Sequence, residues 1–160
     1  MTSGKGSRAS DGIGFGPAKA DDLAALVSIE RGSARPWSAE SFTEEMGRTP
    51  PTLFVLRRSE RATAYAVVRV QGLEMDIVNL AVDPDLRRQG LGRALLCTLL
   101  DQAGESGIES VFLEVREGNR AARSLYLDAG FKPSQRRRGF YREPVEDAIL
   151  MRLEMRHERG

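Results

Sequence analysis

This 160-residue chain is poor in the side chains that carry most nucleophilic, redox and metal chemistry: it has one cysteine, one histidine and one tryptophan, and aromatics make up 6% of it. A lone cysteine, Cys97, excludes an internal disulfide and a cysteine-based zinc site, and no metal site is expected. Cys97 sits in ALLCTLL, on what reads as the buried side of a helix. A small buried hydrophobe is the expectation there, and an acyl-carrying nucleophile the alternative. His157, the only histidine, lies in a polar C-terminal stretch, which argues against a Ser-His or Cys-His dyad. No apolar run approaches the ~20 residues that span a bilayer, and the N-terminus lacks the apolar core of a signal peptide. A cytoplasmic protein without a membrane partner is therefore expected. Charge excess is missing as well: 24 Lys+Arg stand against 23 Asp+Glu. No direct nucleic-acid binding is expected, and any anion recognition must be local.

What is present fits one domain. Hydrophobic residues make up 41% and charged residues 29%, ordinary values for a globular protein. Residues 1–12, polar and Ser/Gly-rich, read as a flexible tail, 13–155 as a single domain, and 156–160 as a second polar tail. Ile13–Ala18 reads as a short strand, and Asp21-Asp22 offers an N-cap to a helix carrying Leu23, Leu26, Val27 and Ile29. Ser38 starts a second helix, AESFTEEM, in which Ser41 and Glu44 have capping-box spacing. Strands are expected at Leu53–Arg57, Thr63–Val70 and Leu73–Val82, then a long helix from about Gly90 to Ala103. Ser110–Arg116 reads as a strand and Asn119–Ala129 as a helix closed by Gly130. Phe131–Pro133, Gly139–Arg142 and Ala148–Leu153 supply closing strands, with Arg136–Arg138 read as a solvated hairpin. The order β-α-α-β-β-β-α-β-α-β-β combines antiparallel hairpins with one parallel strand–helix–strand crossover. It predicts an α/β fold on a mixed sheet.

The most informative segment is VNLAVDPDLRRQGLG, Val78–Gly92. An apolar strand stops at Asp83-Pro84, an arginine-rich loop with two glycines follows, and a helix begins. Such a junction presents closely spaced backbone N–H groups at a helix N-terminus, which suits phosphate. Arg87 and Arg88 add charge-assisted donors. A Walker loop is excluded, since no Gly-Lys-Ser/Thr ends the segment. A dinucleotide fingerprint is incomplete, because Leu95 stands where the third glycine belongs. A plain glycine turn with solvated arginines also satisfies the pattern.

Arg87-x-x-Gly90-x-Gly92 resembles the Arg/Gln-x-x-Gly-x-Gly/Ala motif of the GCN5-related N-acetyltransferases (GNAT), in its usual place between a strand and the long central helix. PWSAESF (Pro36–Phe42), NLAVDPDLRRQGLGRALL (Asn79–Leu96), LEVREGNRAARSLYLDAGF (Leu113–Phe131) and FYREPVEDAILM (Phe140–Met151) extend the resemblance to the RimI-like branch. Enzymes of that branch acetylate the N-terminal alanine of a ribosomal protein. The resemblance implies the acyl-CoA N-acyltransferase fold, acetyl-CoA as cosubstrate, and a protein N-terminus as acceptor. It implies that Arg87, Arg88, Gln89, Gly90, Leu91, Gly92 and Arg93 hold the pyrophosphate, and that Leu80, Ala81 and Val82 pair with the pantetheine arm. Asn119 becomes a cofactor contact, Glu114 the general base and Tyr126 the general acid. By strand alternation alone Glu114 is an outward-facing surface glutamate, and by helix packing alone Tyr126 is a core aromatic. Trp37 and Tyr141, the latter in a loop before the last strand, are candidates to wall the acceptor site. Glu146-Asp147 either attracts a cationic N-terminus or faces solvent. EVREGN departs from the usual EVRASN at two positions, and Phe140-Tyr141 replaces a pair of tyrosines. A same-fold enzyme for a small amine or lysine, and a non-catalytic acyl-CoA-binding module, are the alternatives.

Overall fold

The structure, a computed structural model, describes residues 12–155. The expectations for His157 and for both polar tails, Gly12 aside, concern residues outside that range. The elements are β1 (Ile13–Pro17), α1 (Leu23–Ile29), α2 (Ala39–Met46), β2 (Leu53–Arg58), β3 (Arg61–Gln71) and β4 (Glu74–Val82). There follow α3 (Leu91–Glu105), β5 (Ser110–Arg116), α4 (Arg120–Asp128), β6 (Lys132–Arg142) and β7 (Val145–Glu154). Strand order is β1-β2-β3-β4-β5-β7-β6; the mixed α/β architecture matches the expectation, with the expected strands Phe131–Pro133 and Gly139–Arg142 joined in the single strand β6. The chain packs as two compact units: one takes residues up to Val67 and Asn79–Leu95, the other Val68–Val78 and residues from Leu96 onward.

In the first unit β1, β2 and β3 form an antiparallel meander, from Ile13↔Arg58 to Pro17↔Phe54 and from Leu53↔Val67 to Arg58↔Arg61. Gly12 is tied to the β2–β3 turn, its carbonyl accepting the Ser59 N–H at 2.9 Å. Leu26 and Ile29 of α1 and Phe42 of α2 pack on Leu53, Val55, Tyr65 and Val67. Full burial of each large side chain stabilises by ~1.5–3 kcal/mol. Val27, expected on the apolar face, is exposed, because the buried stripe runs through Ala25, Leu26 and Ile29. Nor does Asp22 cap α1 with its side chain. A 3-10 turn, Ala20–Asp22, precedes the helix, and the Asp22 carboxylate reaches back to the Lys19 N–H at 2.7 Å. It is also gripped by Arg57 of β2, at 3.1 Å from Nε and 2.6 Å from Nη2. The cap of α2 is Ser38, whose Oγ accepts the Ser41 N–H at 3.0 Å, so the Ser41/Glu44 capping box does not form.

In the second unit β4 and β5 run parallel from Glu74↔Ser110 to Ile77↔Leu113, as the helical crossover requires. β7 pairs antiparallel with β5 along its whole length, and β6 with the far side of β7. α4 is capped at its start by Asn119, whose Oδ1 accepts the Ala122 N–H at 3.1 Å. It ends in a Schellman motif: Gly130 sits at φ +104°, with its N–H on the Leu127 carbonyl and that of Phe131 on Tyr126. Two sequence expectations fail here. Arg136–Arg138 is no hairpin but the middle of β6, the turn falling at Glu143-Pro144. Cys97 is exposed, because the buried stripe of α3 runs through Leu91, Leu95, Leu96, Leu99 and Ala103.

Burial alone would raise the Asp22 pKa, but the Arg57 and Lys19 hydrogen bonds outweigh it and hold the group below its ordinary value. A carboxylate depressed in this way adds stability above the unfolded pKa of ~3.9, and that stability is lost as pH falls through the folded value. Arg57→Met is expected to cost roughly 2–3 kcal/mol in urea unfolding at neutral pH, a cost that shrinks as Asp22 becomes protonated.

Candidate active site

The anion loop lies in the first unit. β4 delivers Leu80, Ala81 and Val82 to Asp83, whose N–H bonds the Thr63 carbonyl at 2.8 Å. The buried Asp83 carboxylate accepts the Asp85 N–H and Arg31 Nη2, both at 2.9 Å, and Arg31 also pairs with Asp85 at 2.7 Å. Burial works against the charge of Asp83, yet these donors pull its pKa below the carboxylate norm, so the clamp stays charged at neutral pH. A 3-10 turn, Pro84–Leu86, leads into exposed Arg87, Arg88, Gln89 and Gly90. Gln89 Oε1 accepts a hydrogen bond from Arg58 at 2.9 Å. Arg88 (φ +66°) and Gly90 (φ +81°) both take left-handed backbone. Two left-handed residues let the chain turn tightly between the strand and the helix N-terminus that follows, where open amides suit an anion. A Cβ on Gly90 would meet no atom within 4 Å, so backbone conformation and not crowding asks for glycine there. α3 then opens at Leu91, and helix geometry gives its first amides, Leu91 and Gly92 among them, no intrahelical acceptor. These residues suit a pyrophosphate. Trp37 belongs to the same unit: its N–H bonds Glu30 Oε1 at 2.8 Å and its ring lies 5.4 Å from that of Phe42.

The titratable groups lie in the second unit. A groove of about 560 Å³ is lined by Glu74, Asp76 and Val78 of β4, Phe112 and Glu114 of β5, and Arg137, Phe140 and Tyr141 of β6, among others. Glu114 faces this groove, and Arg137 Nη1 lies 2.8 Å from its Oε2. Tyr141 is placed within β6, not in a loop, and the Arg116 guanidinium covers its ring at 4.1 Å. Tyr126 is 7% exposed and packs edge-on to Phe131. Burial, then the field of Tyr141, pushes its pKa up to about 12. Burial, then the charge of Glu114, raises Tyr141. Glu114 and Tyr141 line the groove, and Tyr126 is not among its lining residues.

Glu146 and Asp147 are committed to the protein. Glu146 accepts the Gly118 N–H at 2.6 Å and pairs with Arg116 at 3.2 Å. Asp147 accepts the Gly139 N–H at 2.9 Å and pairs with Arg136 at 3.0 Å. At Gly118, where EVREGN departs from EVRASN, a Cβ would stand 2.7 Å from a Glu146 side-chain oxygen, so a larger residue would make that carboxylate shift. Sequence reasoning missed Arg137 and Arg116 as neighbours of the site. Alternation along β6 would have put Arg137 and Phe140 on opposite faces, and the register shift between Arg137 and Tyr141 brings both to the groove. Among the described residues no group of His, Cys, Asp and Glu could hold a metal ion, and no helix is long and apolar enough to cross a membrane.

All three tyrosines of the chain, Tyr65, Tyr126 and Tyr141, have raised pKa values. An ultraviolet titration of the native protein should therefore place tyrosinate formation above the ordinary midpoint of ~10, which should return in urea. A raised value contributes stability below the unfolded pKa that is lost as pH rises through the folded value, so alkali should unfold the protein as tyrosinate appears.

Comparison with known proteins agrees with this construction. The Acetyltransferase (GNAT) family matches residues 23–131. The [ribosomal protein bS18]-alanine N-acetyltransferase of Escherichia coli K12 is 42% identical over 135 residues, covering 82% of this chain and 90% of that protein. The protein of the same name from Haemophilus ducreyi is 32% identical over 136 residues, 82% of this chain and 93% of its own. The crystal structure of the ribosomal-protein-S18-alanine N-acetyltransferase from Escherichia coli superposes with a TM-score of 0.82 at 37% identity, covering 92% of this chain and 96% of that one. Anion loop, mixed sheet and sequence kinship agree, and the chain belongs to the GNAT acetyltransferase family.

Proposed function

We propose that this protein transfers the acetyl group of acetyl-CoA to the α-amino group of a protein N-terminus, the acceptor being the N-terminal alanine of a ribosomal protein, and that it works in the cytoplasm. What carries the reading is the placement of Glu114 in an aromatic-walled groove, in a chain whose relatives over four-fifths of its length are named for that reaction. Acetyl-CoA supplies the activated acetyl group as a thioester. The protein's tasks are to hold the pyrophosphate, strip a proton from the acceptor ammonium, and meet the charge that builds on the leaving sulfur.

The loop at Arg87–Arg93 suits the first task, with Leu80, Ala81 and Val82 as the backbone ledge for the pantetheine, and Asn119, in the second unit, is assigned a cofactor contact of its own. Since an α-amino group titrates near ~8, a carboxylate suffices as base at neutral pH. Glu114 takes that role, and an entering ammonium would exchange one cation, Arg137, for another. Tyr126, protonated at every working pH because its pKa stands at about 12, hydrogen-bonds and then protonates the departing thiolate. Tyr141, which lines the same groove as Glu114, is assigned to the acceptor, and Trp37, in the first unit, is assigned an acceptor contact of its own. Attack is direct, without an acyl-enzyme: once Glu114 has taken its proton the acceptor amine is itself the nucleophile, and Cys97, exposed on α3, is given no part.

Glu114→Gln is expected to lower kcat by roughly 10²-fold or more, the usual scale of general-base catalysis, with acetyl-CoA affinity unchanged by calorimetry. Cys97→Ala should leave turnover intact. In a panel of peptides that differ at the first residue, with free lysine and a polyamine as controls, acetyl transfer should favour alanine. Transfer confined to lysine or the polyamine would replace this reading with that of a small-amine enzyme.

A further inference from the structure

Tyr65 is a fully buried side chain of β3. A phenylalanine would fill the same space, since the ring packs edge-on to Phe42 at 5.1 Å. The hydroxyl needs a separate explanation, because a buried polar atom costs stability unless it is bonded. It is bonded on both sides: it donates to Glu30 Oε2 at 2.7 Å and accepts from Asn79 Nδ2 at 2.7 Å. Glu30, at the C-terminal end of α1, is itself buried, and its other oxygen accepts the Trp37 N–H at 2.8 Å. Asn79 immediately precedes Leu80–Val82. An unbroken chain of hydrogen bonds, Trp37 to Glu30 to Tyr65 to Asn79, therefore links the α1–α2 loop to the end of β4. An apolar path, Trp37 on Phe42 on Tyr65, runs alongside it.

We propose that the Tyr65 hydroxyl is a positioning group for acetyl transfer, bridging Glu30 and Asn79 so that the loop carrying Trp37 is fixed to the strand end that holds the donor. This deepens the reading given above and rests on the roles it assigns to Trp37 and Leu80–Val82. Two short bonds to one buried oxygen set the loop more sharply than ring packing alone, since ring contacts tolerate sliding and a bonded pair does not. Burial, then the Glu30 carboxylate, raises the phenol pKa far above its ordinary value, so the bridge holds its proton throughout the working range.

Tyr65→Phe removes only the hydroxyl and keeps the aromatic path. Because Trp37 is the sole tryptophan, its fluorescence reads the loop without any substrate. The variant should shift Trp37 emission to the red and make it more accessible to acrylamide. The acceptor-peptide KM should rise roughly tenfold, the scale on which small misplacements act, with acetyl-CoA affinity held. With Trp37→Ala already present, Tyr65→Phe should add nothing further to KM, as expected for two groups acting through one contact. A variant that melts at lower temperature while Trp37 fluorescence and acceptor KM stay at wild-type values would overturn the proposal, leaving the hydroxyl a stabilising group alone. If the wild-type protein acetylates no peptide, the functional reading fails while the fluorescence comparison still decides whether the bridge positions the loop.

Discussion

The carboxylate of Asp83 stands where β4 gives way to an exposed arginine-rich loop, and the course of that loop depends on it. A strand that ends in an exposed arginine-rich turn has every reason to fray, because its cations repel one another and its backbone amides must stay open to a ligand. Asp83 counters this from a buried position, taking the Asp85 N–H and the Arg31 guanidinium while its own N–H completes a bond to Thr63. Three anchors hold the entry to the loop, and the strain of left-handed Arg88 can then persist at the next turn. Asp83 therefore does in protein–protein bonds what the loop cannot do for itself.

In the second unit charge, not backbone, is the organising quantity. Glu114 faces a groove with Glu74 and Asp76 on the neighbouring strand, and Arg137 is the cation set against it. Arg116 lies between Tyr141 and Glu146, so the same guanidinium steadies an aromatic wall and a carboxylate. Glu146 in turn fastens the turn before α4 through Gly118. Glu146 and Asp147, which the sequence leaves as either attractors for a cationic acceptor or solvent-facing charges, are spent on holding the scaffold. Glu114 differs from them in facing the groove, where its partner is the half-exposed Arg137.

Much of the fold was legible in the sequence. The strand at Ser110–Arg116 and the Asn119 cap of α4 follow from alternation and capping chemistry, which are local. The failures share one physical origin. Cys97 was assigned to the buried stripe because its neighbours are leucines, but which side of a thoroughly apolar helix faces inward is set by what packs on it. Arg136–Arg138 was read as a hairpin because three arginines look solvated, whereas an edge strand tolerates outward charge along its length. The Ser41/Glu44 capping box lost to Ser38, the first residue able to reach the open amides.

The sequence by itself determined the family, the element order and the anion loop, since each is written in contiguous residues whose spacing carries the chemistry. Only the tertiary structure decided which charged groups meet. Glu114 with Arg137, Glu30 with Tyr65, and Tyr65 with Asn79 lie 23, 35 and 14 positions apart. Pairings over such distances depend on strand register and on the docking of helices, which no local pattern encodes. Burial then does the rest, leaving Tyr65 with a hydroxyl that must be bonded.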